Sequence, residues 1–473
     1  MRQPFERAGD DDDVARGVER ARRDARASRR RARVPRASRR RARRRGRRRA
    51  AHRRHRATQW RRASPAHRGQ CAGCVDVDAP LRPEAEARAR AYFASLDARA
   101  GETGETRETH ETYRGRATRW RVKAKLAARA HEGETRLGLF ARGSHALEPI
   151  DDASGCAVSA IAVERAMALV REVCASMDVK GYDETTGNGE LRYAQIVAQT
   201  RTAGQWDAAK DEDARAAISL VWNARKMTPR AMAVCEEIAR RGGDFVHGTW
   251  VNAQDARNNV IFNNDGWHHA TGERETHSYT PNGTKVFYLP GSFMQANAEA
   301  YGELLKRMPR HVPKNARVVE MYAGVGAIGF SLLTNDALGV KSLRCVESSS
   351  AVAEAWERTR GELPEDLRGR ASLQVEKAER IAVESTKDCD VLIVDPPRKG
   401  LDAKLRAVLT DVDGLSDDLQ TLLYVSCGFE SFMRDSDELL ASGVWQIRHH
   451  ESFVFFPGTN HIEIFAVFSR TPY

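Results

Sequence analysis

Four short apolar segments in the C-terminal part of the chain constrain its fold more than any other feature. They are Ala316–Met321, Ser342–Val346, Val391–Val394 and Thr421–Ser426, and helical stretches lie between them. Apolar strands that alternate with helices are typical of a parallel sheet covered on both faces. We therefore predict an α/β, Rossmann-like, doubly wound domain over residues 284–473, ending in an antiparallel strand pair at 443–456 and 461–469.

A glycine-rich turn follows the first of these strands and should bind a nucleotide-type cofactor. Gly324, Gly326 and Gly329 allow the backbone to turn tightly and to approach a ligand closely. Glu347 ends the next strand, where a carboxylate can hold two ribose hydroxyls. This turn alone fits NAD, FAD or S-adenosylmethionine, and a glycine turn that only packs a helix would show the same pattern.

The Asp395-Pro396-Pro397 sequence narrows the choice among these cofactors. It ends the Val391–Val394 strand, where a parallel sheet opens its ligand crevice, and its prolines stiffen the loop. Its carbonyls and carboxylate would then face a planar base, a feature that dinucleotide dehydrogenases do not need. S-adenosylmethionine is therefore the predicted cofactor, and an ordinary turn-initiating aspartate is the alternative for Asp395.

A cysteine and a glutamate near the C-terminus supply a nucleophile and a base. Carbon 5 of uracil becomes nucleophilic when a thiolate adds to carbon 6, and a base must then remove the carbon-5 proton. Cys427 ends a predicted strand, and a helix that begins near Glu430 should favour its thiolate. Glu463 lies in the last strand. Each residue alone is more often an inert buried thiol or a solvated glutamate, but together they predict methylation of a pyrimidine carbon.

These segments resemble the RNA (uracil-5-)-methyltransferase family, from about Tyr113 to Arg470. Five motifs stand in the family's order: Gly291–Asn297, the glycine turn, Asp395–Leu401, Tyr424–Cys427 with Arg434-Asp435, and Phe456–Glu463. The resemblance implies that Cys427 is the nucleophile and Glu463 the base. It also implies a S-adenosylmethionine site formed by Gln295, Tyr322, Gly324, Gly326, Glu347 and Asp395, and a substrate site formed by Phe293, Asp395, Arg398 and His461.

The chain departs from the family pattern in two motifs. Gly428-Phe429 follows the nucleophile where the family usually has Asn-Pro, and Glu320 stands where the first motif usually has Asp. We predict an enzyme that forms 5-methyluridine in tRNA or ribosomal RNA through a covalent bond between Cys427 and carbon 6. One alternative is a catalytically impaired RNA-binding or RNA-folding paralogue, which the Gly428-Phe429 departure would allow. Another is an RNA cytosine-5 methyltransferase, but those enzymes carry a Cys after the proline where this chain has Arg398.

Residues 76–283 show the mixed pattern of a separate α+β domain. A helix is predicted over 80–99, strands at 117–128, 135–141, 191–200, 216–223, 244–252 and 258–262, and helices at 159–177 and 228–241. We expect this domain to bind the RNA backbone. A basic cluster beside Trp120 suits that role, with a solvated strand face as the alternative; its members are Arg114, Arg116, Arg119, Arg121, Lys123 and Lys125.

Residues 1–75 should be a disordered, Arg-rich extension. Residues 1–70 contain 27 Arg, 7 acidic residues and no Lys, so they carry +20, whereas the whole chain carries +12. Arg-rich, acid-poor N-termini are typical of organelle transit peptides, which would place the protein in a chloroplast or mitochondrion. The Asp10–Asp13 run is unusual for such a peptide. A basic RNA-binding arm and an extension without function are the alternatives, with the cytoplasm or nucleus as the location.

The cysteines and the hydropathy pattern exclude other classes. Eight cysteines scattered over the chain indicate a reducing compartment rather than a disulfide scaffold. Cys71, Cys74 and Cys156 resemble iron–sulfur cysteines of some relatives, but a cluster needs four ligands, so we expect no metal. No apolar run approaches 18 residues, which argues against a transmembrane helix. We expect a monomer whose partner is RNA.

Overall fold

The computed structural model describes residues 81–100, 110–151, 155–207, 210–258 and 260–471. The Arg-rich extension 1–75 lies outside the described residues, and so do the transit-peptide prediction, Cys71 and Cys74. All of the described residues belong to one compact unit, Arg62–Tyr473.

Helices and strands alternate along most of the described chain. The helices are α1 (Glu84–Ala100), α2 (Ile161–Ser176), α3 (Pro229–Gly242), α4 (Ala298–Arg307), α5 (Ala327–Leu333), α6 (Ala353–Gly361), α7 (Glu365–Arg368), α8 (Ala382–Ser385), α9 (Ala403–Leu409) and α10 (Phe429–Ala441). The first ten strands are β1 (Glu111–Tyr113), β2 (Lys123–His131), β3 (Glu134–Phe140), β4 (Leu147–Pro149), β5 (Leu191–Gln199), β6 (Arg215–Trp222), β7 (Val246–Ala253), β8 (Trp267–Gly272), β9 (Thr276–Tyr279) and β10 (Lys285–Tyr288). The remaining strands are β11 (Arg317–Met321), β12 (Ser342–Glu347), β13 (Ala371–Val375), β14 (Val391–Val394), β15 (Thr421–Ser426), β16 (Trp445–Phe453) and β17 (Glu463–Arg470).

An eight-stranded sheet confirms the predicted Rossmann-like fold. Its strand order is β1-β16-β17-β15-β14-β11-β12-β13, and β11 to β15 run parallel. The predicted C-terminal pair is also present, because β17 runs antiparallel to both β15 and β16. The chain crosses from one side of β11 to the other between β13 and β14. Parallel sheets bind their ligands outside the carboxyl ends of the strands at such a switch point.

A seven-stranded sheet, in the order β4-β3-β2-β5-β6-β7-β8, precedes it in the chain. Its neighbours are antiparallel except β6 and β7, which helix α3 connects in parallel. Helices α2 and α3 pack on this sheet, and α2 buries an apolar stripe that includes Val163, Met167 and Val170. The division into domains at 76–283 and 284–473 stays a prediction.

Several predicted elements need correction. The predicted strand at 258–262 is not a strand; Val260 is 56% exposed, and the neighbouring Asn263 bonds instead to Asn252. The strand predicted from 117 begins only at Lys123. Helix α1 and strand β1, which was not predicted, both lie within residues 76–283 but pack with the eight-stranded sheet. Phe93 of α1 lies in that sheet's apolar core, and β1 pairs with β16.

The described helices include none that is both long enough and apolar enough to cross a membrane. Between residues 81 and 471, apart from the short gaps in the description, no three or more His, Cys, Asp or Glu side chains form a group that could hold a metal ion. Cys156, which the sequence marked as a weak cluster ligand, is buried, and its backbone N–H donates to Glu164 at 2.9 Å.

Candidate active site

A cavity of about 710 Å³ lies at the carboxyl ends of the central parallel strands. Such a volume suits a ligand of cofactor size. Nine of the predicted site residues line it: Phe293, Gln295, Tyr322, Gly324, Glu347, Asp395, Arg398, Cys427 and Glu463. The other two, Gly326 and His461, are described but do not line it; Gly326 precedes α5, and His461 is exposed.

Strand topology brings the cysteine and the glutamate together from positions 36 residues apart. The last residue pair of β15 and β17 is Ser426 with Ile464. Cys427 and Glu463 are the next residues beyond this pair on the two strands. Because β17 runs antiparallel, its first residue lies at the edge where β15 ends. An antiparallel last strand therefore places a base beside a nucleophile that ends a parallel strand.

The glycine turn is open towards the cavity where a cofactor would approach. Gly324 has φ +53°, its N–H donates to Glu347 Oε2 at 3.0 Å, and a Cβ on it would meet no atom within 4 Å. At Gly326 the backbone has φ +78°, and a Cβ would lie 2.8 Å from the Trp356 ring nitrogen. Tyr322, also in the left-handed region, donates its hydroxyl to Asp402 at 2.8 Å. The turn therefore fits an adenosyl group in front of Gly324 and a packed helix behind Gly326.

Glu320, the residue that replaces the family's usual Asp, faces the interior. Its carboxyl accepts a hydrogen bond from the Gly329 N–H at 2.8 Å, and burial raises its pKa to about 8. A Cβ on Gly329 would lie 2.6 Å from this carboxyl oxygen, so the glycine is needed for the contact. Glu320 thus stabilises the start of α5 from inside the sheet.

The thiol of Cys427 is not activated in the free protein. Burial raises its pKa to about 11, and the carboxyls of Glu463 and Asp395 act in the same direction, whereas Arg398 lowers it. The effect expected of the following helix on the thiolate stays a prediction, but the net pKa of Cys427 lies above its usual value. Loss of hydration and two nearby carboxyls outweigh the partial charge of a helix end.

Two carboxyls face this thiol and are both held towards their protonated forms. Burial raises the pKa of Glu463 well above its usual value, with Asp395 as a second cause and Arg398 opposing it. Burial also raises the pKa of Asp395 to about 7. A carboxyl with a raised pKa is a stronger base once it is ionised, which suits a proton acceptor.

The Gly428-Phe429 departure has a local explanation. A Cβ at position 428 would lie 2.4 Å from the Arg398 carbonyl oxygen, so glycine allows the turn after Cys427 to lie against the 395–401 loop. Phe429 enters the apolar core and contacts Tyr92 of α1 edge-on, with ring centroids 6.0 Å apart. The two residues therefore fit this turn without the family's usual proline.

Buried Asp435 holds the 395–401 loop in place. One of its oxygens accepts the Leu401 N–H at 2.8 Å and the Tyr424 hydroxyl at 2.7 Å. Its other oxygen accepts from the Arg434 guanidinium at 2.6 and 2.9 Å. The Arg434-Asp435 motif is thus a structural anchor behind the site.

Phe293 is presented to the cavity by a turn that the seven-stranded sheet supports. Its side chain is 71% exposed. Lys123 Nζ of β2 donates to the Ser292 carbonyl at 2.7 Å, and Gln195 of β5 donates to the Pro290 carbonyl at 2.7 Å. Sequence reasoning missed this role, because a Lys and a Gln in amphipathic strands carry no signal for such a contact.

The predicted basic cluster does not form a free RNA-binding face. Arg114 pairs with Glu86, Arg116 with Glu299 and Arg119 with Glu164, while burial lowers the pKa of Lys123 to about 7. Arg121 lies over the Trp120 ring. Lys125 is exposed, and its ammonium lies 4.7 Å from the centroid of the Phe262 ring.

Known proteins resemble this chain in sequence and in fold. An uncharacterized RNA methyltransferase of Protochlamydia amoebophila is 30% identical over 362 residues, which are 76% of this chain and 88% of the relative. An uncharacterized RNA methyltransferase of Enterococcus faecalis is 25% identical over 74% of this chain and 71% of its own. A comparison with models of known protein families finds no match.

Among solved structures, the tRNA (uracil-54, C5)-methyltransferase of Pyrococcus abyssi, in complex with S-adenosyl-L-homocysteine, has a TM-score of 0.62. It is 19% identical, and the match covers 86% of each chain, so the two share a fold. The identity to the Protochlamydia protein across most of both chains confirms the family resemblance read from the motifs: the chain belongs to the RNA methyltransferase family.

Proposed function

We propose that this protein transfers a methyl group from S-adenosylmethionine to carbon 5 of a uridine in RNA. The observation that carries the proposal is that Cys427, Glu463 and Asp395 line the same cavity as the glycine turn and Glu347. The proposed nucleophile, base and cofactor site would thus meet at the switch point of the sheet. The name of the Pyrococcus relative, a uracil C5 enzyme, supports the same reaction.

The cofactor would occupy the part of the cavity formed by Gln295, the Tyr322–Gly324 turn and Glu347. When bound there it supplies an electrophilic methyl group. The Glu347 carboxylate is already oriented by the Gly324 and Ser349 N–H groups, at 3.0 and 2.9 Å, and would accept from the ribose hydroxyls. The uridine must leave its stack to enter, so a loop or single-stranded segment of RNA is the natural substrate.

The chain's own residues would then carry the reaction. The Cys427 thiol would lose its proton to a neighbouring carboxylate, and its sulfur would bond to carbon 6 of the ring. The electron pair that this addition places at carbon 5 would form the new bond to the methyl carbon, while the bond from that carbon to the donor's sulfur breaks and the donor leaves as a thioether. Glu463 takes the proton from carbon 5, and the carbon–sulfur bond breaks to restore the ring and the thiolate. Arg398 supports the thiolate, because its charge opposes the rise in the pKa of Cys427.

RNA that contains 5-fluorouridine tests the covalent step. Fluorine at carbon 5 cannot leave as a cation, so the enzyme should stay bonded to the RNA after methyl transfer. We expect a denaturation-resistant protein–RNA adduct with the wild type and none with Cys427→Ala. With ordinary RNA, Glu463→Gln should accumulate the methylated adduct because the carbon-5 proton stays in place. Clean turnover by Glu463→Gln would contradict its role as base.

The same assay separates the two alternatives. A catalytically impaired paralogue would bind RNA without forming the adduct. A cytosine-5 enzyme would form it on RNA that contains 5-fluorocytidine instead of 5-fluorouridine. The structure favours neither alternative, because Gly428 and Phe429 fit the turn after Cys427, and Arg398 stands where a cytosine-5 enzyme has its Cys.

A further inference from the structure

A second cavity, of about 470 Å³, lies on the seven-stranded sheet, away from the proposed active site. Aromatic and basic side chains line it, chiefly Lys125, Phe140, Tyr182, Tyr193 and Arg257. Strand register explains how they meet: Ala127 of β2 is paired with Tyr193 of β5 and with Gly138 of β3. The cavity therefore spans three neighbouring strands of one sheet face.

The floor of this cavity is rigid. Arg129 is buried, donates to the Ala128 and Arg192 carbonyls at 2.9 Å each, and pairs with Glu184. Its guanidinium carbon lies 5.2 to 5.6 Å from the centroids of Phe140, Tyr182 and Tyr193. These contacts orient the rings before any ligand arrives, and preorganised rings lose little entropy on binding.

The rim of the cavity is positively charged. Lys125 and Arg257 are exposed at it, and Arg192 lies buried beneath, held by the Gln254 and Ala256 carbonyls at 2.8 and 2.9 Å. The one acidic side chain among the cavity's described lining residues, Glu184, is neutralised by Arg129. An aromatic floor beneath a cationic rim matches a planar base attached to a phosphate.

The cavity is on the same sheet face as the contact that supports Phe293. Side chains alternate along a strand, so Lys123 and Lys125 point to the same face of β2, about 7 Å apart. Lys123 holds the Ser292 carbonyl beside Phe293, whereas Lys125 lines the second cavity. A strand of RNA whose target uridine enters the active site would therefore pass over the second cavity.

We propose that this cavity binds an unstacked nucleotide of the substrate RNA, with its base on Tyr193 and its phosphate near Lys125 and Arg257. The inference rests on the proposed function only in that RNA is the substrate; it does not depend on the chemistry at carbon 5. The nucleotide held here would belong to the same RNA as the target uridine, so the cavity would position the RNA strand rather than react with it.

Binding of normal and abasic RNA tests the proposal. The probe is a fluorescent single-stranded RNA of about ten nucleotides, compared with the same backbone without bases. The full chain is used as Cys427→Ala, without methyl donor, so no adduct forms. The Arg-rich residues 1–70 attract the backbone of both probes alike. We expect Tyr193→Ala to weaken binding of the normal RNA about tenfold and to leave the abasic RNA unchanged.

Matched variants distinguish a base site from misfolding. Tyr193→Phe keeps the ring and should restore the affinity for normal RNA. Arg240→Ala, an exposed residue of α3 on the helix-covered side of the sheet, should leave both affinities unchanged. Lys125→Met should weaken both probes similarly and reduce the salt dependence of binding. Equal affinities of Tyr193→Ala and wild type for the normal RNA would overturn the proposal, and so would an equal loss on both probes.

Adduct formation with 5-fluorouridine RNA is measured separately. Suppose that no adduct forms but Tyr193→Ala weakens binding of the normal RNA and not of the abasic RNA. The second cavity is then supported as a base site, and the proposed reaction is refuted. If the adduct forms but the probes behave alike, the reaction stands and the cavity is not a base site.

Discussion

At the scale of single residues, the ionisation of Cys427 decides when the proposed reaction can begin. Its thiol is half-buried between two carboxyls, and its pKa of about 11 keeps it protonated at neutral pH. A protonated thiol is a poor nucleophile, so Cys427 should react slowly until substrate binds. Placing RNA in the cavity, or moving a proton to a neighbouring carboxyl, would then be needed to generate the thiolate.

The rate at which iodoacetamide alkylates Cys427 measures this ionisation. Only the thiolate reacts, so below pH 10 the rate should rise about tenfold per pH unit. Asp395 is ionised at pH 9, because its pKa is about 7, and its charge disfavours the thiolate. Asp395→Asn should therefore speed alkylation several-fold at pH 9, as followed by mass spectrometry of the Cys427 peptide.

Glu376→Gln is the matched control for this measurement. Glu376 also lines the cavity, but it is not among the main causes of the raised pKa of Cys427. Its substitution should leave the alkylation rate unchanged. A rate in Asp395→Asn equal to that of the wild type would show that the carboxyl does not act on the thiol.

At the scale of elements, two strands of the seven-stranded sheet support the turn that carries Phe293. Lys123 and Gln195 each donate to a backbone carbonyl of that turn. A side chain that contacts only backbone controls where the turn lies, and through it the ring that would meet the substrate base. Lys123 is therefore a positioning residue.

Lys123→Met should lower the rate constant of adduct formation at saturating RNA about tenfold, through loss of this contact. Its affinity for RNA should change less than twofold. Lys125 lies two residues further along the same strand. Lys125→Met should show the opposite pattern, with weaker RNA binding and a normal rate constant at saturating RNA. Rapid-quench measurements with 5-fluorouridine RNA over a range of RNA concentrations separate the two effects. Identical behaviour of the two variants would refute the assignment.

Sequence patterns predicted the elements that carry strong signals. The apolar strands β11, β14 and β15 were found because strands buried on both faces are continuously hydrophobic. The sequence pattern set no bounds for strand β13, because it lies at the sheet edge and contains the polar residues Ser372 and Gln374. Strand β1, only three residues long, has no recognisable pattern; its pairing with β16 depends on contacts distant in sequence.

For the candidate site, too, the sequence predicted some properties and could not predict others. Motifs located the residues that line the cavity, because a glycine turn and an Asp-Pro-Pro loop have fixed chemical requirements. The raised pKa of Cys427 could not be predicted from the sequence, because burial and the nearby carboxyls are properties of the folded chain. The ion pairs of Arg114 and Arg116 could not be predicted either, because the glutamates that pair with them come from helices distant in sequence.

At the scale of the whole molecule, buried ionisable groups make stability depend on pH in opposing ways. The raised pKa of Glu320, about 8, means that the folded state binds more protons than the unfolded state between about pH 4.5 and 8. This contribution to stability is lost as pH rises. The lowered pKa of Lys123, about 7, has the opposite effect above pH 7, because the unfolded chain then binds the extra proton.

Comparing Glu320→Gln with the wild type isolates one of these contributions. The glutamine oxygen can still accept the Gly329 N–H, so the two proteins should be similarly stable at pH 5. At pH 8.5 the variant should be more stable by roughly 2–4 kcal/mol, because no buried carboxylate has to form. Urea denaturation at both pH values measures the free energy of unfolding.

Glu365→Gln, an exposed glutamate of α7, serves as the charge-matched control, and its difference from the wild type should stay within about 0.5 kcal/mol at both pH values. A Glu320→Gln variant that gains no stability between pH 5 and 8.5 would show that this carboxyl ionises without penalty in the folded protein.

Helix α1 limits how many N-terminal residues can be removed from the chain without disturbing the site. Its Ala85 N–H donates to Asn460 at 2.7 Å, three residues before Glu463, and its Tyr92 packs on Phe429, two residues after Cys427. Arg114 also reaches back to the Leu81 carbonyl at 3.0 Å. A cut that removed the Arg-rich residues 1–70 without disturbing the site would therefore have to lie upstream of Leu81. A cut inside the helix would instead free the ends of both strands that present Cys427 and Glu463.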